Sequence, residues 1–261
     1  MSSKGVKDLF STTHEEGTIS DESLRVLEVV DVGANIQASL GIGTDEVTAS
    51  EVVLVTMMPD DSGSIRFSGN TEAVRDGHNA VLGALSASKQ NNGILAHTRY
   101  LNGKVLFAYR PLSQADMMDS KNYNPQGDTP LYDQAVVLLG TVLAKTQEFS
   151  DNGVPVRTVT LIITDGADTS SENATADMVK SLVDDMYRNE NHIIAGMGIS
   201  DGNTDFKKVF REMGIRDEWI LTPVNNPSEI RKAFMVFSQS AVRASQNADS
   251  FSKTSLGGFG S

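Results

Sequence analysis

Two unbroken runs of apolar, largely β-branched residues constrain the fold of this chain most. Residues 51–58 have the sequence Glu-Val-Val-Leu-Val-Thr-Met-Met and end at Pro59, and residues 156–164 form a second run of this kind. Strands that are buried on both faces of a parallel sheet are continuously apolar, whereas half-buried strands alternate. Both runs are therefore predicted to be central strands of a sheet covered by helices.

Strand-like and helix-like segments alternate around these two runs. Apolar residues at helical spacing predict helices over residues 71–89, 131–149, 172–188, 204–213 and 227–244, and further strands are predicted over residues 94–101, 104–110, 192–199 and 218–221. Such alternation indicates a mainly parallel sheet with helices on both faces. The predicted fold class is α/β, a doubly wound, mainly parallel six-stranded sheet.

One pair of strands departs from the alternation. Asn102 and Gly103 separate residues 94–101 from residues 104–110. Asn-Gly is typical of a type I′ hairpin turn, because both residues tolerate positive φ. The hairpin predicts one antiparallel edge strand, which large α/β sheets often carry.

The two ends of the chain are expected to lie outside the domain formed by residues 51–244. Residues 1–50 are predicted to be an N-terminal arm, loose up to residue 18, and a helical extension that begins after Ser20 and is broken at Gly33. Residues 245–261, which end in Leu-Gly-Gly-Phe-Gly-Ser, are expected to be a flexible tail.

Composition excludes several classes of function. The chain has no cysteine, so disulfides, thiolate zinc sites and cysteine nucleophiles are excluded. Its net charge of −12 opposes binding to nucleic acid. No apolar stretch follows Lys4 and Lys7, and the apolar run that ends at Met58 is too short to span a bilayer. We therefore expect a cytoplasmic protein without membrane insertion.

Three short polar segments stand beside strand ends. Asp60, Ser62 and Ser64 follow the first central strand, Thr129 precedes a helix, and Asp165 follows the second central strand. Ligands of open parallel sheets bind beyond the carboxyl ends of the strands, where neighbouring connections diverge. If the two central strands are neighbours, both carboxylates meet at that crevice.

The oxygen atoms of these side chains suit a hard cation. Two carboxylates and three hydroxyls form an all-oxygen donor set, which Mg²⁺ prefers and which Mn²⁺ and Ca²⁺ also accept. With only two formal negative charges around it, the cation would stay electron-poor, so that an incoming carboxylate could complete its shell.

The pattern Asp60-x-Ser62-x-Ser64, Thr129 and Asp165-Gly166, in this order, resembles the metal-ion-dependent adhesion site of von Willebrand factor A domains. The resemblance covers residues 51–244 and is closest to the intracellular bacterial type. It implies that Ser62, Ser64 and Thr129 bind the metal directly and that Asp60 and Asp165 act mostly through water. It also implies a protein partner that supplies an Asp or Glu ligand. Pro59 and Asp61 depart from the usual pattern, and Asp61 could either face solvent or alter the metal affinity.

Simpler explanations exist for each segment. The sequence Asp-Ser-Gly-Ser is ordinary turn chemistry, and Thr129 could cap the following helix with Pro130 at its first position. Asp165 could likewise be a helix N-cap or a turn residue after a strand. His14, His78, His97 and His192 lack the spacing of metal ligands and are expected to be structural or surface residues.

Three functions follow from these observations. The first is a metal-dependent adaptor, without enzymatic activity, that docks an acidic side chain of a partner protein. The second is a metal-dependent hydrolase or phosphatase with Asp60 as the nucleophile, although the three loops contain no Lys or Arg to hold a phosphate. The third is a structural subunit with a vestigial site. Oligomeric state is left open.

Overall fold

The computed structural model describes residues 5–28, 32–88 and 91–260. Across these residues six strands form one sheet in the order β3-β2-β1-β4-β5-β6. The strands are β1 (Val52–Met58), β2 (Ile94–Arg99), β3 (Val105–Pro111), β4 (Val156–Thr164), β5 (His192–Gly198) and β6 (Ile220–Leu221). Edge strand β3 is antiparallel to β2, and the other neighbouring strands are parallel. The predicted fold class is confirmed.

Ten helices surround or extend the sheet in the described part of the chain. They are α1 (Val6–Glu15), α2 (Asp21–Leu27), α3 (Val32–Gln37), α4 (Gly63–Phe67), α5 (Thr71–Ser86), α6 (Leu131–Ser150), α7 (Ala176–Arg188), α8 (Phe206–Glu212), α9 (Pro227–Gln246) and α10 (Ala248–Gly257). None of them is long and apolar enough to cross a membrane.

The helices cover both faces of the sheet. In β2, the Thr98 hydroxyl is hydrogen-bonded to His78 of α5, whereas the adjacent Arg99 donates to Gln134 of α6. Successive strand residues point to opposite faces, so α5 and α6 lie on opposite sides. Helix α9 packs beside α5, where Phe234 lies directly against Gly77.

Residues 5–15 are not a loose arm. They form α1, and Val6, Leu9 and Phe10 are buried because they recur at helical spacing on one face. Helix α2 begins after Ser20, as predicted, and Ser20 is its N-cap, since the Ser23 N–H donates to Ser20 Oγ at 3.3 Å. Residues 1–4, and Val29 and Val30 of the predicted helix, lie outside the described residues.

Two further expectations about the chain ends differ from the structure. Gly33 does not break the extension but lies inside α3. Residues 248–257 are not flexible chain: they form α10, in which Phe251 and Thr254 are buried. An N-cap supports this helix, because the Ser250 N–H donates to Asn247 Oδ1 at 2.8 Å. That residues 51–244 form a domain separate from the two ends of the chain stays a prediction.

Helices α1 to α3 form an additional layer over α6. Gly140 of α6 marks the contact: a Cβ atom there would lie 2.7 Å from Ile36 Cδ1 and 2.8 Å from Leu27 Cδ2. Helix α6 is therefore packed against the sheet on one side and the extension on the other. This position explains why it is apolar around most of its circumference.

The hairpin between β2 and β3 is correct in position but has a different turn. The Gly103 N–H donates to Tyr100 O at 2.9 Å, and Gly103 has φ 95°, whereas Asn102 is not among the residues with positive φ. A type I′ turn needs positive φ at both central residues. The loop is instead a four-residue turn over Tyr100–Gly103, and its last residue, Gly103, has the positive φ.

Candidate functional site

The two central strands are direct neighbours, and this brings their acidic loops together. Met58 of β1 pairs with Ile162 of β4, and β1 pairs with β2 on its other side. The connections that leave β1 and β4 therefore diverge at this point of the sheet. Asp60 and Asp165 lie there, as the sequence predicts, and the Asp165 N–H donates to Asp60 Oδ2 at 3.2 Å.

Asp60 is fully buried, and hydrogen bonds hold both of its carboxylate oxygens. Oδ1 accepts from the Ser62 N–H at 2.7 Å, and Oδ2 accepts from Thr164 Oγ1 at 2.9 Å as well as from the Asp165 N–H. Burial raises the pKa of Asp60, although these hydrogen bonds oppose the shift. The Tyr123 hydroxyl donates to the Asp60 backbone oxygen at 2.5 Å and so holds this loop in place.

Ser62, Ser64 and Asp165 bring three side-chain oxygens into one group. The hydroxyl oxygens of Ser62 and Ser64 are 2.8 Å apart, and Ser64 Oγ donates to Asp165 Oδ1 at 2.5 Å. Ser62 Oγ is 3.5 Å from the same carboxylate oxygen. Ser62 and Asp165 are buried, whereas Ser64 is exposed, so this group is reached from solvent past Ser64.

Thr129 lies on a loop that is hydrogen-bonded to the loop of residues 60–64, the pentad loop. The Gly63 N–H donates to Gly127 O at 2.9 Å, which places residues 127–129 beside the two serines. Thr129 is buried, and among the described residues its hydroxyl forms no hydrogen bond. The structure thus gathers the loops of all five predicted site residues, with the Thr129 hydroxyl left free.

Thr129 does not cap α6. The helix begins at Leu131, so that Pro130 occupies the N-cap position rather than the first helical position, and no side chain caps the helix from there. The loop after β4 caps it instead, because the N–H groups of Tyr132 and Asp133 donate to Ser171 Oγ at 3.1 and 3.0 Å. The capping explanation for Thr129 is therefore wrong.

Asp61 does not face solvent either. It is 4% exposed, and its Oδ1 accepts from the Asn102 N–H at 2.9 Å. Its backbone oxygen accepts from the N–H groups of Gln126 and Gly127. Asp61 thus joins the pentad loop to the hairpin tip and to the Thr129 loop. Burial raises its pKa to about 6.

Comparison with known proteins agrees with the architecture. No family model and no curated protein matches the chain. Among solved structures, the SpRpn10 VWA domain aligns with a TM-score of 0.50 at 10% identity, over 71% of this chain and 94% of that domain. The chain has the von Willebrand factor A fold.

Two larger proteins contain the same fold. The pilus adhesin SpaC from Lactobacillus rhamnosus GG aligns with a TM-score of 0.53 at 13% identity, over 75% of this chain and 30% of the adhesin. Proximal thread matrix protein 1 from the mussel byssus aligns with a TM-score of 0.50 at 14% identity, over 74% and 46%. This chain therefore spans less than half the length of either protein, and at such identities the similarity concerns the fold alone.

The acidic residues at this edge of the von Willebrand factor A fold, Asp60, Asp61 and Asp165, have no paired basic side chain among the described residues. Burial and the neighbouring Asp60 raise the pKa of Asp165 to about 6. Perturbed acidic groups of this kind are typical of functional sites. The described residues contain no cluster of three His, Cys, Asp or Glu, so any cation here would depend on the hydroxyls.

Three of the four histidines are buried in the core, and His14 lies at the surface beside Asp21, as expected for structural or surface residues. His78, His97 and His192 are buried, and burial lowers their pKa values to about 4, 3 and 3. His192 Nδ1 lies 2.7 Å from Thr158 Oγ1, at the opposite end of the sheet from Asp60. Neutral imidazoles with such partners are structural.

Sequence reasoning missed three residues that hold the site together. Thr164 and Tyr123 bind Asp60, and Asp133 accepts from the N–H groups of residues 172 to 174 in the loop after β4. The position of Thr164, at the end of a strand and directly before Asp165, could have marked it as a site residue. Nothing in the sequence marks the contacts of Tyr123 and Asp133, which depend on the tertiary fold.

Proposed function

We propose that the three loops bind one divalent cation, Mg²⁺, and that this cation docks an acidic side chain of a protein partner. Ser62, Ser64 and Thr129 would contact the cation directly, and Asp60 and Asp165 would act mostly through water. The observation that carries the proposal is the group formed by Ser62 Oγ, Ser64 Oγ and Asp165 Oδ1, with separations of 2.5 to 3.5 Å and no basic partner.

The residues present suit such a cation. Two buried carboxylates without a counter-charge are unfavourable when ionised, and a divalent cation would neutralise both. The donors are all oxygen, which fits Mg²⁺, Mn²⁺ or Ca²⁺. The Thr129 hydroxyl, which forms no hydrogen bond among the described residues, adds a further oxygen ligand for the cation.

The open side of the site favours docking. Ser64 is exposed, so a carboxylate from another molecule can approach the cation from solvent. Hard cations bind carboxylates readily. The two carboxylates of this chain would balance the charge of a divalent cation without exceeding it, so a carboxylate from a partner could still bind. The proposal includes a cytoplasmic location, as in intracellular bacterial proteins with this site. The cytoplasmic location is inferred from the sequence alone.

The hydrolase alternative is less consistent with the geometry. A nucleophilic carboxylate needs one free oxygen facing the substrate. Both oxygens of Asp60 accept hydrogen bonds, and the residue is fully buried. A screen of phosphatase substrates with Mg²⁺ tests this alternative. Turnover by the wild type that Asp60→Asn abolishes would support a hydrolase.

Cation binding tests the proposal directly. Metal-stripped protein is titrated with Mn²⁺ by electron paramagnetic resonance, with Mg²⁺ as competitor, and unfolded thermally with and without Mg²⁺. At about 100 times the dissociation constant, a ligand that binds only the folded state adds about 2.7 kcal/mol of stability. We expect the wild type to bind and gain stability, and Asp165→Asn and Ser64→Ala to bind weakly.

A matched control comes from the same short helix. Ser68, an exposed serine at the end of α4, contributes no side-chain hydrogen bond in the described residues, so Ser68→Ala should bind the cation as the wild type does. If the wild type neither binds Mn²⁺ nor gains stability, the site is vestigial and the structural-subunit alternative takes its place.

A further inference from the structure

An exposed aromatic ring lies against the backbone of the proposed cation site. Phe67, the last residue of α4, is 81% exposed. A Cβ atom on Gly63, between the two site serines, would lie 3.4 Å from Phe67 Cε2. The ring therefore covers Gly63 and presents its outer face to solvent. Single exposed apolar residues are common on protein surfaces, so the position of this ring, rather than its exposure, is informative.

A free cationic side chain accompanies the ring. The Arg66 guanidinium carbon lies 5.1 Å from the centroid of the Phe67 ring. Arg66 is exposed, and within the described residues it forms no ion pair. The buried site residues Asp60 and Asp165 are hydrogen-bonded to other groups of the site. An unpaired Arg stacked on an aromatic ring can bind a carboxylate from another molecule.

A second exposed apolar residue belongs to a neighbouring loop. Val224 is 59% exposed, and the adjacent Asn225 accepts a hydrogen bond from Asn70 Nδ2 at 2.9 Å. Asn70 follows α4 by three residues. The segment that follows Phe67 and the loop that carries Val224 are thus hydrogen-bonded to each other.

From these contacts we propose that Arg66 and Phe67 form a second recognition element, and that the partner segment carries an apolar side chain and a second acidic side chain next to the carboxylate that reaches the cation. This inference rests on the proposed function and specifies the partner's chemistry. The apolar side chain packs on the Phe67 ring, and the second carboxylate pairs with Arg66. Because the chain as a whole has a net charge of −12, a long acidic segment is repelled and a short one is favoured.

Blocked pentapeptides test this recognition element. Four probes are titrated into the Mg²⁺-loaded protein and followed by NMR: one Asp among glycines, the same Asp flanked by Leu, the same Asp flanked by Glu, and an Asn control. Phe67→Ser and Arg66→Gln are compared with the wild type. Leu256→Ser and Arg231→Gln, exposed residues of α10 and α9, serve as matched controls.

We expect the Leu-flanked peptide to bind the wild type about tenfold tighter than the glycine peptide, and Phe67→Ser to lose this gain. The Glu-flanked peptide should gain about twofold to fivefold, and Arg66→Gln should lose that gain. Both substitutions should leave Mn²⁺ affinity unchanged, which also confirms that the variants are folded.

The outcomes separate the two proposals. If the Asp peptide binds better than the Asn peptide but neither flanking residue adds affinity, the recognition element is overturned and cation-mediated docking stands. If the Asp and Asn peptides do not differ while Mn²⁺ binds normally, docking through the cation is itself wrong, and the recognition element is rejected with it.

Discussion

Asp61 Oδ1 accepts a hydrogen bond from the backbone N–H of Asn102 at 2.9 Å, which joins the loop after β1 to the tip of the hairpin between β2 and β3. The same residue accepts two N–H groups from the Thr129 loop through its backbone oxygen. One buried acidic residue therefore positions two of the three loops of the site without belonging to its proposed ligands.

Replacement of Asp61 separates this structural role from a role in cation binding. Asp61→Ala removes the acceptor of the partly buried Asn102 N–H, so we expect a loss of about 0.5–1.5 kcal/mol in the free energy of unfolding. Asp61→Asn keeps an acceptor oxygen and also removes a buried charge whose pKa is raised to about 6, so this variant should be more stable than Asp61→Ala. Urea denaturation of the metal-free proteins measures both values. Equal losses in the two variants would contradict the assigned hydrogen bond.

The central part of the fold could be predicted because its burial is continuous. Strand β4 has the predicted bounds of residues 156 to 164, and all nine of its residues are buried. A run buried on both faces leaves an unbroken apolar signal. Strand β6 contains only Ile220 and Leu221, and its predicted start at Glu218 lies instead in a turn of 3₁₀ helix.

Other parts could not be predicted because tertiary contacts decide them. Residues 5–15 are polar on average, and only the four-residue face of Val6, Leu9, Phe10 and Thr13 marks the helix. The sequence predicted that Asp60 and Asp165 meet only if β1 and β4 are neighbours, a condition that the strand order meets. The burial of Asp61 could not be predicted in this way, because it depends on where the hairpin tip folds back.

Asp165→Asn should stabilise the metal-free protein at neutral pH. Burial and the neighbouring Asp60 raise the pKa of Asp165 to about 6, so its ionised form is unfavourable in the folded state. The amide removes this charge and can still accept from Ser64 Oγ. We expect the free energy of unfolding to rise by about 1–2 kcal/mol, a value that already allows for screening by solvent near the opening of the site.

Chemical denaturation in EDTA measures this gain, and addition of Mg²⁺ should then stabilise the wild type but not the variant. Asp184→Asn is a suitable control, because Asp184 lies exposed on α7, where it pairs with Lys180. A variant that is less stable than the wild type without metal would show that the charge of Asp165 is well tolerated by the folded protein.

His192 should make the stability depend on pH in a defined direction. Burial lowers its pKa from 6.5 to about 3. Between these values the unfolded chain binds a proton that the folded protein does not, so the stability contributed at this position falls as the pH falls below 6.5. Relative to His192→Gln, the free energy of unfolding of the wild type should fall by about 2 kcal/mol between pH 6.5 and about pH 5.

Urea denaturation at several pH values measures this difference. The acidic residues of the site act in the opposite direction, because their raised pKa values make the folded state bind protons first, but they are shared by both proteins and cancel in the comparison. Parallel pH profiles for the two proteins would argue against a neutral His192.

Phe10→Ala tests whether α1 is an integral part of the structure. Phe10 is 2% exposed, and its ring lies 3.6 Å from the position of a Cβ atom on Gly140 of α6. Truncation of a buried Phe costs about 3–5 kcal/mol, since it removes apolar contact and leaves a cavity. Phe67→Ala removes the same atoms from an exposed ring and should change the free energy of unfolding by less than about 0.5 kcal/mol. Urea denaturation of both variants without metal gives the comparison: similar small losses would mean that α1 is dispensable to the domain, whereas the expected difference means that α6 needs the extension as its second packing surface.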